Sequence, residues 1–570
     1  MWIPLHIVKI RINKIVIFCF YSLIIVNSLC LKTRGSLNAP LSFLTSFSDH
    51  RNHKSGSLVN LFSKNEEHTH KDKYLITSPL FYLNGEPHLG HVYTLVASDV
   101  LKRYLVLKGY DVKLLVGTDE HGSKIKSSST KLGCSPKDYV VSMRNKFLDV
   151  YGCYDISPDI LVHTSEDEHK NRVKRTFDIL LQSDDIYRGL HQGYFSPAED
   201  CYYTKSKLVS GKSPLGFDVE FVEEPAYFFR LNKWKDRIKN FFSRNPGAIL
   251  PAHRLNEVNN ILGSDLNDVA ITRSSCDWGV EVAQGETIYV WFDALLGYLS
   301  HLKLGDSGYV PDNLRLIHVL GKDILSFHAL LWPAMLMSLG LELPCRFISH
   351  GWLLSRGDKI SKSLNNSVPA LPPPQSSDVC RLALMNLGDF SSDFEFDSSI
   401  FETSHNIIRN KFANTCHRIT SVISLSGIET INSPFFDLSD LANDHLTSSL
   451  FDRFSTYRTH LDYHVKSFRF DKYIQVLIDL SYEINKFIED KQFWLIDSHS
   501  KEFITTAWTA CSLLFHLGLF LMPIAPRLSC DIISRLRPSL SGNMVSNPSF
   551  DCLDNIIQFS YSPIHVNQLI

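Results

Sequence analysis

Two short polar strings about 270 residues apart constrain this chain more than any other feature: Pro87-His88-Leu89-Gly90-His91 and Lys359-Ile360-Ser361-Lys362-Ser363. The histidines follow an apolar run, 74–82, and a turn, Asn84-Gly85-Glu86-Pro87, and they precede a helical pattern over 92–107. That order predicts a strand giving way to a helix. At such a junction Gly90 lets a nucleotide lie close to the backbone, and the helix N-terminus favours phosphate. Imidazole N–H groups there can bond charge developing on an α-phosphate. Lys359 and Lys362 add mobile point charges able to follow a leaving pyrophosphate. The strings read as complementary halves of one site for activating a carboxylic acid with ATP.

Apolar strands alternate with helical segments from residue 74: strand 75–80, helix 94–108, strand 112–116, and a helix after Ser135. This βα succession predicts an α/β fold with a parallel sheet of Rossmann type and the site at the carboxyl ends of its strands. Residues 369–375 hold four prolines, a stretch that cannot be helix. From Ile400 the pattern turns helical, and segments such as 473–489 and 505–521 carry apolar residues at helical spacing. The run 511–524 contains His516 and stops at Pro523, which reads as a buried bundle helix.

Six ordered blocks resemble the methionyl-tRNA synthetases, a class I aminoacyl-tRNA synthetase family, from about 74 to 528. They are the segment from Ile76 to Gly85 leading into the histidines, Gly117-Thr118-Asp119-Glu120-His121-Gly122, Tyr289-Val290-Trp291-Phe292-Asp293-Ala294, Gly321-Lys322-Asp323 with His328 and Trp332, His350-Gly351-Trp352, and the lysine loop. The resemblance implies a Rossmann catalytic domain in two parts, 74–186 and 277–345, split by a connective insertion at 187–276. A lysine-loop and stem-contact region at 346–399, an all-α anticodon-binding bundle at 400–540 and a tail at 541–570 would follow. It implies attack by the methionine carboxylate on ATP. His88, Gly90, His91, Gly321, Asp323, Lys359, Ser361 and Lys362 would bind the nucleotide. His88, His91, Lys359 and Lys362 would be catalytic, and Mg²⁺ would bridge phosphates. Asp119 would hold the substrate ammonium. Leu80, Tyr82, Trp291, Ala294, Leu295, Tyr298, Ile324, His328 and Trp332 would form the side-chain pocket, where aromatic edges suit a thioether. Asn485 and Trp494 match the anticodon-reading helix and its stacking platform, although Phe493 stands where proline is usual. The partners implied are L-methionine, ATP and tRNA(Met), with the protein acting as a monomer. An insertion of roughly 90 residues leaves no room for the larger editing insertion expected of the isoleucine, valine and leucine enzymes.

Formal net charge is −2 over 570 residues. The first 73 carry ten Lys and Arg against four Asp and Glu, which leaves about −8 for the remainder. A tRNA-binding protein of that sign must use local basic faces, and Arg346, Arg356, Lys359, Lys362, Arg409, Lys411 and Arg418 are the candidates. The twelve cysteines include no C-x-x-C pair, and residues 193–225 contain only Cys201. No metal site and no structural zinc are therefore expected. Lys9, Arg11 and Lys14 precede an apolar run at 15–26 and then Ser28-Leu29-Cys30, the layout of a secretory signal over 1–30. A Ser-, Asn-, His- and Lys-rich stretch at 31–73 resembles a transit peptide. Together they predict a bipartite plastid leader, with a mitochondrial address as the rival, and no stable membrane association once the leader is removed.

Overall fold

A computed structural model describes residues 73–196, 201–203, 205–214, 216–274, 276–283, 285–301, 314–360, 366–431, 445–536 and 564–565. Residues 1–72 of the leader, Ser361 and Lys362 lie outside the described residues, and Lys73, the last residue of the expected leader, opens the first strand. β1 (Lys73–Tyr82), α1 (Leu89–Leu107), β2 (Asp111–Asp119), α2 (Ser123–Lys131), α3 (Pro136–Cys153), β3 (Ile160–His163) and α4 (Asp167–Gln182) give the expected βα succession, each strand longer than its apolar centre. Ser135 caps α3, accepting the N–H of Asp138, with Pro136 in the first turn.

β4 (Ile186–Ser196), β5 (Cys201–Tyr203), β6 (Glu220–Phe229) and β8 (Val269–Ala270) make a four-stranded antiparallel sheet in the order β5-β4-β6-β8. Between β6 and β8 the chain forms α5 (Leu231–Arg244), β7 (Ile249–Leu250) and α6 (Ala252–Gly263). β7 pairs in parallel with β13 (Arg346–His350), so the chain rejoins the main sheet inside the stretch 187–276 that the sequence reads as insertion. Ile249-Leu250 is too short an apolar strand to stand out by period. β9 (Thr272–Arg273), β10 (Glu281–Ala283) and β11 (Glu286–Ile288) form a small sheet leading to α7 (Val290–Leu296).

β12 (Leu314–Gly321), a π-helical turn at Phe327–Leu331 and α8 (Trp332–Ser338) precede β13. The main sheet has six parallel strands in the order β3-β2-β1-β12-β13-β7. Alternate residues go to opposite faces, as strand geometry requires. Ile76, Leu114 and Val116 join a core shared with α1 and α3, whereas Leu75 and Leu115 join one shared with α4, α5 and α8.

β14 (Leu353–Ser355), β15 (Asp358–Lys359), α9 (Ser377–Met385) and β16 (Phe394–Glu395) follow, and residues 369–375 contain no helix. The helical region holds α10 (Ser399–Ile407), α11 (Asn414–Ser426), α12 (His445–Lys466), α13 (Phe470–Asp490), α14 (Lys501–Leu521) and α15 (Pro526–Leu536). α14 is apolar and long enough to cross a membrane, but 89% of its most apolar window is buried, as a bundle helix requires. Within the tail, β18 (Ile564–His565) pairs with β17 (Thr430–Ile431). The first core runs without a break from α1 into this bundle.

Arg381 of α9 fastens the bundle to the catalytic sheet. It is fully buried, meets Asp99 of α1 at 2.7 Å, and donates to the carbonyls of Pro523, Ile524 and Tyr154. Burial alone would raise the Asp99 pKa, but Arg103 and Arg381 hold it down. A guanidinium so enclosed is tolerable only because its donors find acceptors.

Candidate active site

The strand order reverses between β1 and β12: β2 and β3 lie to one side, β13 and β7 to the other. The carboxyl ends of β1 and β12 therefore diverge around a crevice, where ligands bind in such sheets. A cavity of about 800 Å³ opens there, lined by residues from both strand ends, α1, α2 and the segment 350–360.

His88 and His91 form the N-terminal cap of α1. His88 is the N-cap residue and its Nδ1 accepts the Gly90 N–H at 3.1 Å, while His91 Nδ1 accepts the His88 N–H at 3.1 Å. This is a capping box made from two imidazoles. A nitrogen that accepts a backbone N–H carries a lone pair, so each neutral ring holds its proton on Nε2, where it can donate. The rings stack with centroids 3.8 Å apart, and both line the cavity. A Cβ at position 90 would stand 3.0 Å from the His88 ring, so glycine makes room for the cap as well as for a ligand.

Gly321, Asp323 and Lys359 line the same cavity. Lys359 Nζ lies 2.6 Å from Asp323 Oδ2, and the Trp352 indole donates to Asp323 Oδ1 at 3.2 Å. Burial opposes ionisation of Asp323, yet Lys359 and Trp352 keep its pKa below the ordinary value. The lysine and the acid, both expected to bind ATP, thus pair with each other in this state. Lys322 flanks Trp352 from above, 4.0 Å from the ring centre, and pairs with Asp393 at 2.6 Å.

A second pocket of about 240 Å³ is lined by Leu80, Tyr82, Asp119, Trp291, Ala294, Leu295, Tyr298 and His328, with Pro79, Lys124, Tyr289 and Val290. Eight of the expected methionine-binding residues thus meet in one place. Two do not. Ile324 lines the larger cavity instead. Trp332 is fully buried behind the pocket, 5.8 Å from Tyr298 between ring centres, and gives its indole N–H to His318 Nε2 at 3.0 Å.

His328 also differs from a polar tip offered to sulfur. Its Nδ1–H donates to the Ile324 carbonyl at 2.9 Å and its Nε2 accepts the Tyr298 hydroxyl at 2.8 Å. Burial drives its pKa down to about 4. The ring is a neutral, fixed wall of the pocket.

α7 carries Trp291, Ala294 and Leu295, and a buried carboxylate holds it in place. Asp293 accepts from His121 and His169, both at 2.6 Å. Burial raises its pKa, but the two imidazoles more than offset this and hold it low. Glu120, likewise buried, is kept at about 2 by hydrogen bonds from His163, Arg144, Ser165 and Thr118 against that penalty.

In the bundle, Arg418 joins the two anticodon candidates. It donates to Asn485 Oδ1 at 2.8 Å and lies 5.8 Å from the centre of the Trp494 ring, which is 50% exposed. Arg346, by contrast, is not a free basic face, since it donates to the Gly247 carbonyl and burial lowers its pKa.

The profile of the tRNA synthetases class I (M) family matches residues 74–218 and 207–420. The methionine–tRNA ligase of Rickettsia felis is 38% identical over 361 residues, covering 62% of this chain and 70% of that protein. The chain belongs to the methionine–tRNA ligases of class I. The Rickettsia conorii ligase is 38% identical over 363 residues, 61% of this chain and 70% of the relative. Mycobacterium tuberculosis methionyl-tRNA synthetase in complex with methionyl-adenylate superposes with a TM-score of 0.78 at 28% identity, covering 88% of this chain and 99% of that one. The two adjoining cavities are lined, one mainly by apolar and aromatic side chains, the other by His88, His91, Asp323 and Lys359 among others. The sequence reading missed Lys124, Tyr289 and Val290 in the pocket and His350 and Trp352 in the cleft. His350 and Trp352 stand in one of the matching blocks, whereas Lys124 looks like any other lysine of α2.

The His328 geometry has a pH signature. Its folded pKa of about 4 lies below the ordinary 6.5, so the unfolded chain binds the extra proton between those values and stability falls as pH drops from 6.5 to 4. The single group contributes at most ~1.4 kcal/mol per pH unit. Urea unfolding of His328→Gln should show a shallower loss over this window than the parent protein. Equal slopes would mean that His328 is protonated in the folded state.

Proposed function

We propose that the protein activates L-methionine with ATP, forming methionyl-adenylate and pyrophosphate, and transfers the methionyl group to the 3′-terminal adenosine of tRNA(Met) in an organelle. The observation that carries this reading is the junction of the apolar pocket with the crevice capped by His88 and His91. A methionine side chain in the pocket puts its carboxylate at the mouth of the crevice, with the ammonium toward Asp119. A carboxylate oxygen attacks the α-phosphorus as the bond to the bridging oxygen breaks, and pyrophosphate leaves with the electron pair. No proton need move, so positioning and charge stabilisation supply most of the catalysis. The Nε2–H groups of His88 and His91 donate to the α-phosphate region. Lys359 exchanges Asp323 for phosphate, which frees Asp323 for the ribose, and Lys362 acts on the leaving group.

Among the described residues no three His, Cys, Asp or Glu side chains converge as a metal site. Mg²⁺ would be carried chiefly by the phosphates of ATP. A zinc-free monomer without membrane attachment, bearing a plastid leader or else a mitochondrial one, completes the reading.

Pyrophosphate exchange and aminoacylation, measured side by side, separate the two half-reactions. Lys362→Ala should cost roughly 10²-fold or more in methionine-dependent exchange. Trp494→Ala should leave exchange within about twofold and weaken tRNA use by roughly tenfold, the worth of one stacked base. An unchanged exchange rate in the first variant removes the lysine loop from the mechanism, and unchanged tRNA use in the second removes Trp494 from anticodon reading. N-terminal sequencing of the native protein should place the mature start between residues 31 and 73. A membrane-bound protein with an intact N-terminus would contradict the leader, and mitochondrial import of a fusion would change the address.

A further inference from the structure

We propose that Lys124 binds the carboxylate of methionine at the point where it meets the α-phosphate of ATP, an assignment that rests on the methionine-activating reading above. The pocket and the cleft share five lining residues: Pro79, Leu80, Tyr82, Lys124 and Trp291. These five mark the boundary between the two spaces. Attack on the α-phosphorus requires the carboxylate to lie on that boundary, with the thioether on one side and the triphosphate on the other. Four of the five are uncharged, and Lys124 is the only cation.

The charges of the pocket have the same polarity as the substrate. Asp119 and Lys124 in its lining match the ammonium and carboxylate of an amino-acid zwitterion, while His328 stands there as a neutral ring. The phase of α2 aims the lysine inward. Lys124, Ser127, Ser128 and Lys131 fall on one helix face and line the cleft, whereas Ile125 is buried and Lys126 turns away to Asp277 at 2.6 Å.

A cation at this position does two things. It gives the carboxylate a fixed partner, and it offsets the repulsion between that anion and the incoming triphosphate. Because it acts on charge already present in the bound substrate, removing it should raise the methionine KM more than it lowers kcat.

The test compares methionine with methioninol, which has the same side chain and ammonium but an alcohol in place of the carboxylate. Binding of each to Lys124→Met is measured by titration calorimetry, with Lys124→Arg in parallel. Methionine should bind roughly tenfold or more weakly to Lys124→Met, as expected for a lost charged hydrogen bond, methioninol within about twofold of the parent, and Lys124→Arg should recover part of the difference. Equal weakening of both ligands, or no change in either, would overturn the assignment. The wild-type protein serves as the control for the underlying reading. If it showed no methionine-dependent pyrophosphate exchange, that reading would fail. If it exchanged normally while Lys124→Met bound methionine as tightly as the parent, the assignment of Lys124 alone would fail.

Discussion

Everything at this site depends on the pairing of β1 with β12, two strands separated by more than 200 residues of chain. Five residue pairs, from Lys73 with Leu314 to Thr77 with His318, put them side by side in parallel. Their continuations then part, one into the turn and cap of α1, the other into Gly321, Asp323 and the π-helical turn. The crevice is the space that this divergence leaves, and it exists only because the sheet is wound outward in both directions from this pair. Buried polar groups support the arrangement close to it: Thr77 Oγ1 meets His318 Nδ1 at 2.6 Å across the two strands, and His318 in turn accepts from Trp332.

The histidines show how local rules and chemistry coincide. A helix N-terminus leaves backbone N–H groups without intrahelical partners. Here imidazoles satisfy two of them, and in doing so each ring turns its remaining N–H away from the helix. The same four residues therefore end a turn, begin a helix and present two donors, which is why so short a string was informative. The lysine string is different in kind. Lys359 lies on the short strand β15, held by Asp323, and its meaning came from chemistry and resemblance rather than from any local fold signal.

Much of the sheet and bundle was legible because long periodic segments announce themselves. α13 and α14 match their apolar spacing, and Ser135 marks the start of α3. What stayed hidden has physical reasons. A two-residue strand such as β7 has no period to detect. The match of Ile324 and Trp332 to pocket positions rests on resemblance, and a motif match does not distinguish a residue that lines a cavity from one packed behind it. Lys124 was passed over because a lysine in a Ser- and Lys-rich helix carries no local mark of the cavities that meet beside it. Buried Arg381, which ties α9 and the end of α14 to Asp99 of α1, likewise depends on contacts far apart in the chain.

The central claim is that the cap of α1 fixes two imidazoles with Nε2–H facing the nucleotide. Pyrophosphate exchange in His91→Gln and His91→Asn tests it most directly, because a glutamine amide can place a donor near the Nε2 position and an asparagine amide reaches only the Nδ1 position. Loss of one such donor costs about 10²-fold or more, so the asparagine variant should fall by that amount and the glutamine variant by clearly less. Equal losses, or better activity in the asparagine variant, would contradict the assignment of Nε2–H as the group that acts on the α-phosphate.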